Sequence, residues 1–239
     1  MSDKPLTSGG PVDPALIEDL VAASRILAKN GVLDAWGHVS MRHPANPNRY
    51  LLSRARAPAL VTAEDIMEFD LDSNPVDPGA GRPFLERFIH GGAYKARPDI
   101  NAVVHSHSPT VIPFTVTGQK MRALSHIASF LAYDVPTWEI RNVGLTKGLL
   151  VTNNEQGASL AKTLGSHPVA MMRGHGNIVV ASDIIRVVHR ALYTEVNAQQ
   201  LVIAYSFNKP IQFIADDEAG DPQRLNDSWD VWKHEAMKG

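Results

Sequence analysis

The stretch NAVVHSHSP, residues 101–109, closes an apolar run with two histidines two positions apart. On a strand, side chains at i and i+2 point the same way, so His105 and His107 project together and Ser106 faces the opposite side. That spacing suits two imidazoles on one small cation, at metal–nitrogen distances of roughly 2.0–2.1 Å for zinc. A pair of hydrogen-bonded histidines at a strand end is the plainer alternative. A third imidazole stands in RGHGN, residues 173–177, where His175 lies between two glycines after an apolar run. Glycines let the backbone turn sharply and bring a side chain close to a neighbour. Alone, His175 reads equally as an exposed hairpin residue. Beside the His pair it completes three ligands with a position left open, the pattern of a catalytic metal and not of a structural one. The chain has no cysteine, so thiolate ligands and disulfides are excluded. Three neutral imidazoles suit Zn, Mn, Co, Fe or Ni.

A metal of this kind works with an acid/base group. Glu86, in GRPFLERFIHGG, lies among Phe84, Leu85, Phe88 and Ile89, and an apolar setting would raise its pKa. A helix-surface Glu paired with Arg82 or Arg87 is the bland reading. His90 lies one helical turn on and is only weakly ligand-like. His43, His126, His167 and His189 have no such framing and read as structural or surface residues.

The elements that must position these groups follow from local signals. Residues 14–30 read as a helix, with Asp13 as cap, Pro14 in the first turn and Gly31 at the end. AWGHVSMRHP and RYLLSR read as two short strands of a hairpin. Thr62 caps the start of a segment that leads into another strand. A helix is expected over 83–96, weakened by Gly91 and Gly92 and stopped at Pro98. INAVVHSH is a strand, a helix starts at Ser108-Pro109 and ends at Gly118, and VPTWEIRN supplies a further strand. NNEQGASLAKTLGSHP is helical, VAMM and NIVVA are strands, and a long helix capped at Ser182 covers about 183–207. Helices and strands alternate, with tight turns as well as crossovers, so an α/β layered fold with a mixed sheet is expected.

Four segments together resemble the class II aldolase/adducin family: GHVSMR (37–42), ERFIHGGAYKARPDINAVVHSHS (86–108), VPTWEI (135–140) and RGHGNIVV (173–180). The resemblance covers roughly residues 14–212. It implies a three-layer α/β/α sandwich with a central, mixed, mostly antiparallel sheet. It also implies a homotetramer with active sites between subunits. By position, His105, His107 and His175 match the family's metal ligands and Glu86 its catalytic acid/base, with one divalent metal (Zn, Mn or Co, Fe also fitting) as cofactor.

The chain departs from the sugar-phosphate members of that family. Where they carry a Gly-Asn turn, His38 stands here; their Thr-Pro-x-Gly phosphate loop is replaced by SRARAPALVT; their Ser-Ser pair before the catalytic Glu is Phe84-Leu85. A phosphorylated sugar is therefore not expected. His38, Arg42, Ser53, Arg54 and Arg56 are the candidate substrate-binding residues, since guanidinium groups suit planar carboxylates. Phe84 and Leu85 would face a flat ring. The run resembles a subgroup that decarboxylates ortho-hydroxy aromatic or hydroxypyridine dicarboxylates in vitamin B6 or phthalate breakdown. The alternatives are an aldolase for a non-phosphorylated hydroxy or keto acid, a non-haem iron oxygenase on the same fold, and a non-catalytic scaffold. The last predicts loss of the ligands, and all three are retained. A zinc hydrolase would want a helical His-Glu-x-x-His motif, which the chain lacks.

With a net charge of -2, the chain gives no sign of nucleic-acid or membrane binding, and the partner expected is a small carboxylate. No apolar run approaches the roughly 20 residues of a membrane span. MSDKPLTSGGPVDP lacks the apolar centre of a secretory signal, so a cytoplasmic protein is expected. The chain is expected to form one unit over 1–239, with 1–13 a flexible lead-in. Residues 215–239 form a tail whose Leu225, Trp229 and Trp232 fall at helical spacing, as a docked helix or a flap over a neighbour's site.

Overall fold

A computed structural model describes residues 6–144, 147–220 and 225–238. The β-branched and apolar runs pair into one sheet of seven strands: β1 (His38–Arg42), β2 (Arg49–Ser53), β3 (Ile66–Asp70), β4 (Ala102–Ser106), β5 (Thr137–Trp138), β6 (Val169–Met172) and β7 (Gly176–Ala181), in the order β3-β2-β1-β4-β7-β6-β5. Only the β5–β6 pair is parallel; the others are antiparallel.

The sheet is buried on both faces, and the period-2 alternation sorts each strand between two cores. Val39, Met41, Val104, Val179 and Ala181 face one core. It is covered by α1 (Pro14–Lys29) and α5 (Ile184–Ser206). Val103, Ala170, Met172, Ile178 and Val180 face the other, covered by α2 (Phe88–Ala96) and α4 (Asn154–Leu164). This is the expected three-layer sandwich. His38 and Ser40 alternate with Val39 and Met41 on β1, so they lie on the α2/α4 face, as His105 does on β4.

Several local expectations are corrected. The segment 83–96 is not one helix: a 3-10 turn at Leu85–Arg87 precedes α2, with Glu86 at φ -91 and ψ 16. Gly91 and Gly92 do not weaken α2 so much as permit its packing. A Cβ on Gly92 would meet Gly157 of α4 at 2.5 Å, and one on Gly157 would meet the Phe88 carbonyl oxygen at 2.2 Å. The long helix is capped by Asp183, whose side chain accepts from Arg186 N, and not by Ser182. The strand expected over 135–142 shrinks to two residues, followed by a 3-10 turn at Ile140–Val143. The lead-in is tied down where it is described: Gly9 N donates to Glu68 Oε1 on β3 at 2.6 Å, and Ser8 Oγ to Oε2 at 2.6 Å. Residues 1–5 lie outside the described residues, as do 221–224 in the tail. The tail's α6 (Asn226–Met237) packs on α1, with Trp229 in the core and Lys233 paired to Glu18 and Asp19. Among the described residues no helix is long and apolar enough to cross a membrane.

Candidate metal centre

The sheet register brings the histidines together. His105 is the penultimate residue of β4, opposite His38 on β1 and Ile178 on β7. His107 follows just past the strand end. His175 closes the tight turn between β6 and β7. Gly174 there takes φ +63, and a Cβ on Gly176 would meet the Ser106 carbonyl at 2.0 Å, so both flanking glycines are required. One ligand atom from each of Glu86, His105, His107 and His175 lies within 4.8 Å of the others.

The outer nitrogen of every ring is anchored. His105 Nδ1 lies 3.2 Å from the Asn177 carbonyl and His175 Nδ1 3.1 Å from the Leu149 carbonyl. His107 Nδ1 lies 2.9 Å from Asp34 Oδ2. A carbonyl accepts, so Nδ1 carries the proton on His105 and His175, and their Nε2 lone pairs face inward. Those two Nε2 atoms are buried and make no hydrogen bond. Buried polar atoms without partners are costly and rare, and lone pairs aimed at a common point with their outer nitrogens anchored are what a metal ion requires. The residues present therefore fit a divalent cation. No other metal-type cluster of His, Asp and Glu occurs among the described residues.

Glu86 Oε2 stands 3.5 Å from His105 Nε2 and 3.4 Å from His175 Nε2. Its other oxygen accepts from Val151 N at 2.9 Å. The expectation of a raised pKa is reversed. Burial pushes the carboxyl up, but a proton on the inward nitrogens of His105 and His175 gives them the charge and the donors that hold it well below the usual carboxylate range.

A cavity of about 600 Å³ opens beside Glu86, walled by Pro83, Phe84 and Leu85, with His38, Arg56, Arg82 and Trp36 on its lining. Of the five residues expected to bind substrate, His38 and Arg56 line this space and three do not. Arg42 lies at the far end of β1, four residues or roughly 13 Å from His38. Its guanidinium donates to the carbonyls of Pro47, Tyr94, Ile100 and Arg97. It is a buried structural brace and not a substrate ligand. Arg54 lies off the cavity and is paired with the buried Asp65 at 2.6 Å. Ser53 ends β2, buried and outside the lining. Arg56 shares Asp65 at 3.1 Å and donates to the Leu60 carbonyl at 2.6 Å.

Three residues on this site were missed in the sequence. Asp34 accepts from Trp36 N and Gly37 N and orients His107, so one carboxylate shapes the turn and aims a ligand. Its Asx-turn signature, Asp-Ala-Trp-Gly, was visible; the partner 73 residues away was not. Arg82 and Trp36 sit in loops with no periodic signal. His90 lies on α2 beside the cluster but bonds His38 and not the metal-facing groups.

The Class II Aldolase and Adducin N-terminal domain profile matches residues 18–202, and the chain belongs to that family. Among curated proteins, it is 31% identical to the decarboxylase tropJ of Talaromyces stipitatus, over 93% of this chain and 94% of that one. It is 30% identical to the 3,4-dihydroxyphthalate decarboxylase of Arthrobacter keyseri, over 92% of each. Among solved structures, an L-fuculose 1-phosphate aldolase from Glaciozyma antarctica superposes with a TM-score of 0.75 at 21% identity, covering 95% of this chain and 93% of that one. These decarboxylase and aldolase relatives support an enzyme.

Proposed function

We propose that this chain is a metal-dependent lyase that decarboxylates an ortho-hydroxy aromatic or hydroxypyridine dicarboxylate. The observation that carries the reading is the pairing of an intact His105/His107/His175/Glu86 cluster with an apolar-walled cavity bearing Arg56 and Arg82. The near full-length likeness to decarboxylases, one of them acting on 3,4-dihydroxyphthalate, points the same way.

His105, His107 and His175 would hold one divalent cation, Zn, Mn, Co or Fe, which supplies Lewis acidity beside the substrate's ring oxygen. Phe84 and Leu85 seat the ring and exclude water. Arg56 and Arg82 grip the second carboxylate and fix the pose; Arg82 takes the place expected of Arg54, because it makes no ion pair among the described residues. Glu86, steadied at Oε1 by Val151 N, accepts the hydroxyl proton at Oε2. The bond from ring carbon to carboxylate then breaks, its electron pair stays on the ring, and CO2 leaves. Glu86 returns its proton to that carbon. Exposed Trp36 and Leu85 at the cavity mouth support assembly, and a cytoplasmic homotetramer with sites at subunit interfaces is proposed.

The test is CO2 release from hydroxylated phthalates and hydroxypyridine dicarboxylates, anaerobically, with Mn, Co, Zn or Fe(II) in turn. Metal-dependent CO2 that disappears in Glu86→Gln is expected. No CO2 from any pairing, with metal bound, would overturn the decarboxylase in favour of a non-phosphorylated aldol substrate.

A further inference from the structure

Behind the cavity wall runs a buried chain of four polar side chains that the reaction above does not use. His38 Nδ1 lies 2.6 Å from His90 Nε2, His90 Nδ1 lies 2.6 Å from Ser40 Oγ, and Ser40 Oγ lies 2.8 Å from Tyr94 Oη. His38 is 2% exposed, and His90, Ser40 and Tyr94 are at most 1% exposed. The chain exists because β1 and α2 present their residues in step: His38 and Ser40 are i and i+2 on a strand, and His90 and Tyr94 are i and i+4 on a helix.

With both imidazoles neutral, the ring hydrogens can run along the chain in only two directions. Both rings are buried and neither has a carboxylate among its hydrogen-bond partners, so both are neutral. In one direction Tyr94 donates to Ser40, Ser40 to His90 Nδ1, and His90 Nε2–H to His38 Nδ1. Every hydrogen on the chain then has an acceptor, and His38 carries its own hydrogen on Nε2. In the other direction His38 Nδ1–H donates to His90, His90 to Ser40, and Ser40 to Tyr94. One hydroxyl hydrogen is then left over, that of Tyr94 or, if Tyr94 donates to Ser40 instead, that of Ser40, and neither hydroxyl has another partner among the described residues. A buried donor without an acceptor is strongly disfavoured.

We infer that Tyr94, Ser40 and His90 lock His38 as a neutral Nε2–H donor on the cavity wall, where it recognises a hydrogen-bond acceptor of the substrate, a carboxylate or ring oxygen, beside Glu86. His38 lines the cavity against Phe84, with ring centroids 4.4 Å apart, and its Nε2 has no protein partner among the described residues. Ser40, His90 and Tyr94 touch no substrate and act as positioning residues. The inference rests on reading the cavity as the substrate site, but the protonation pattern is measurable without turnover. An inactive protein with the expected tautomers would sink the proposed reaction and leave the lock standing.

The experiment is nitrogen-15 NMR of histidine-labelled, zinc-loaded protein, with phthalate as the probe and signals assigned through His38→Leu and His90→Phe. In the wild type, both His38 and His90 are expected in the Nε2–H form, with a pyridine-type Nδ1. A pyridine-type Nε2 on His38 would overturn the lock. Phthalate is expected to shift the His38 Nε2–H signal, and His38→Leu to weaken phthalate binding about tenfold or more, the value of a hydrogen bond to a charged group. Binding unchanged in His38→Leu would overturn the recognition role. Ser40→Ala removes the hydroxyl that holds His90 as an acceptor, so a second His38 tautomer is expected to appear. A His38 signal unmoved by that substitution would overturn the positioning role of the chain.

Discussion

The two ends of β1 carry similar residues to opposite purposes. His38 and Arg42 lie on the same strand and the same face, and both are buried. At the Arg42 end, the guanidinium donates to four carbonyls and stacks over Tyr94 with 4.8 Å to the ring centroid, so four of its five donors are taken up by its own chain. At the His38 end, polar atoms remain open: His105 Nε2 and His175 Nε2 have no partner, and His38 presents one nitrogen to a cavity. Saturation marks the structural end and unsatisfied valence the chemical end. Residue type alone does not separate them, because a buried Arg on a strand beside a site resembles a carboxylate ligand until its partners are known.

This contrast can be broken by substitution. The largest effect belongs to Glu86→Gln at the open end: CO2 release is expected to fall about 10²- to 10⁴-fold, the range of a general acid/base, with metal content retained. Loss of metal along with activity would instead make Glu86 a ligand. At the closed end, Arg42→Ala strands carbonyls in the interior and is expected to cost about 3 kcal/mol of stability by urea unfolding. A variant of wild-type stability and lost substrate affinity would restore Arg42 to the site. Asp34→Ala tests the bridge between positioning and chemistry: metal affinity should weaken roughly 10- to 100-fold, read by competition with a chelator. Equal affinity would mean the Asp34–His107 contact does not orient the ligand. The smallest effect is at Arg54, which is 43% exposed at its side chain and removed from the cavity. Arg54→Ala is expected to change stability by less than about 1 kcal/mol and KM hardly at all. A large rise in KM would show that the rim is wider than Arg56 and Arg82.

Much of the site was legible before the fold because its residues sit at element ends with strong local signals. The i, i+2 pair on β4 and the glycines around His175 encode both ligand type and direction. The alternation of helices and strands likewise predicted a layered α/β fold with a mixed sheet. What stayed hidden depends on contacts distant in sequence. The lowering of the Glu86 pKa comes from His105 and His175 when they are protonated, against the burial that suggested the opposite shift. The pairing of Asp65 with Arg54 and Arg56 was invisible in SRARAPALVT, and so was the role of Asp34. Gly92 read as helix weakness because the helix it touches lies more than sixty residues on.

That crossing has a mechanical consequence. Glu86 lies in the 3-10 turn that leads into α2, and Val151, whose amide steadies it, lies just before α4. Gly92 and Gly157 press the two helices backbone to backbone, with no side chain between to flex. The pair behaves as a caliper whose jaws are Glu86 and Val151 and whose pivot lies in the glycines. A methyl group added at Gly157 would open those jaws from within the scaffold, so the setting of the Glu86 carboxylate can be altered without touching the cavity.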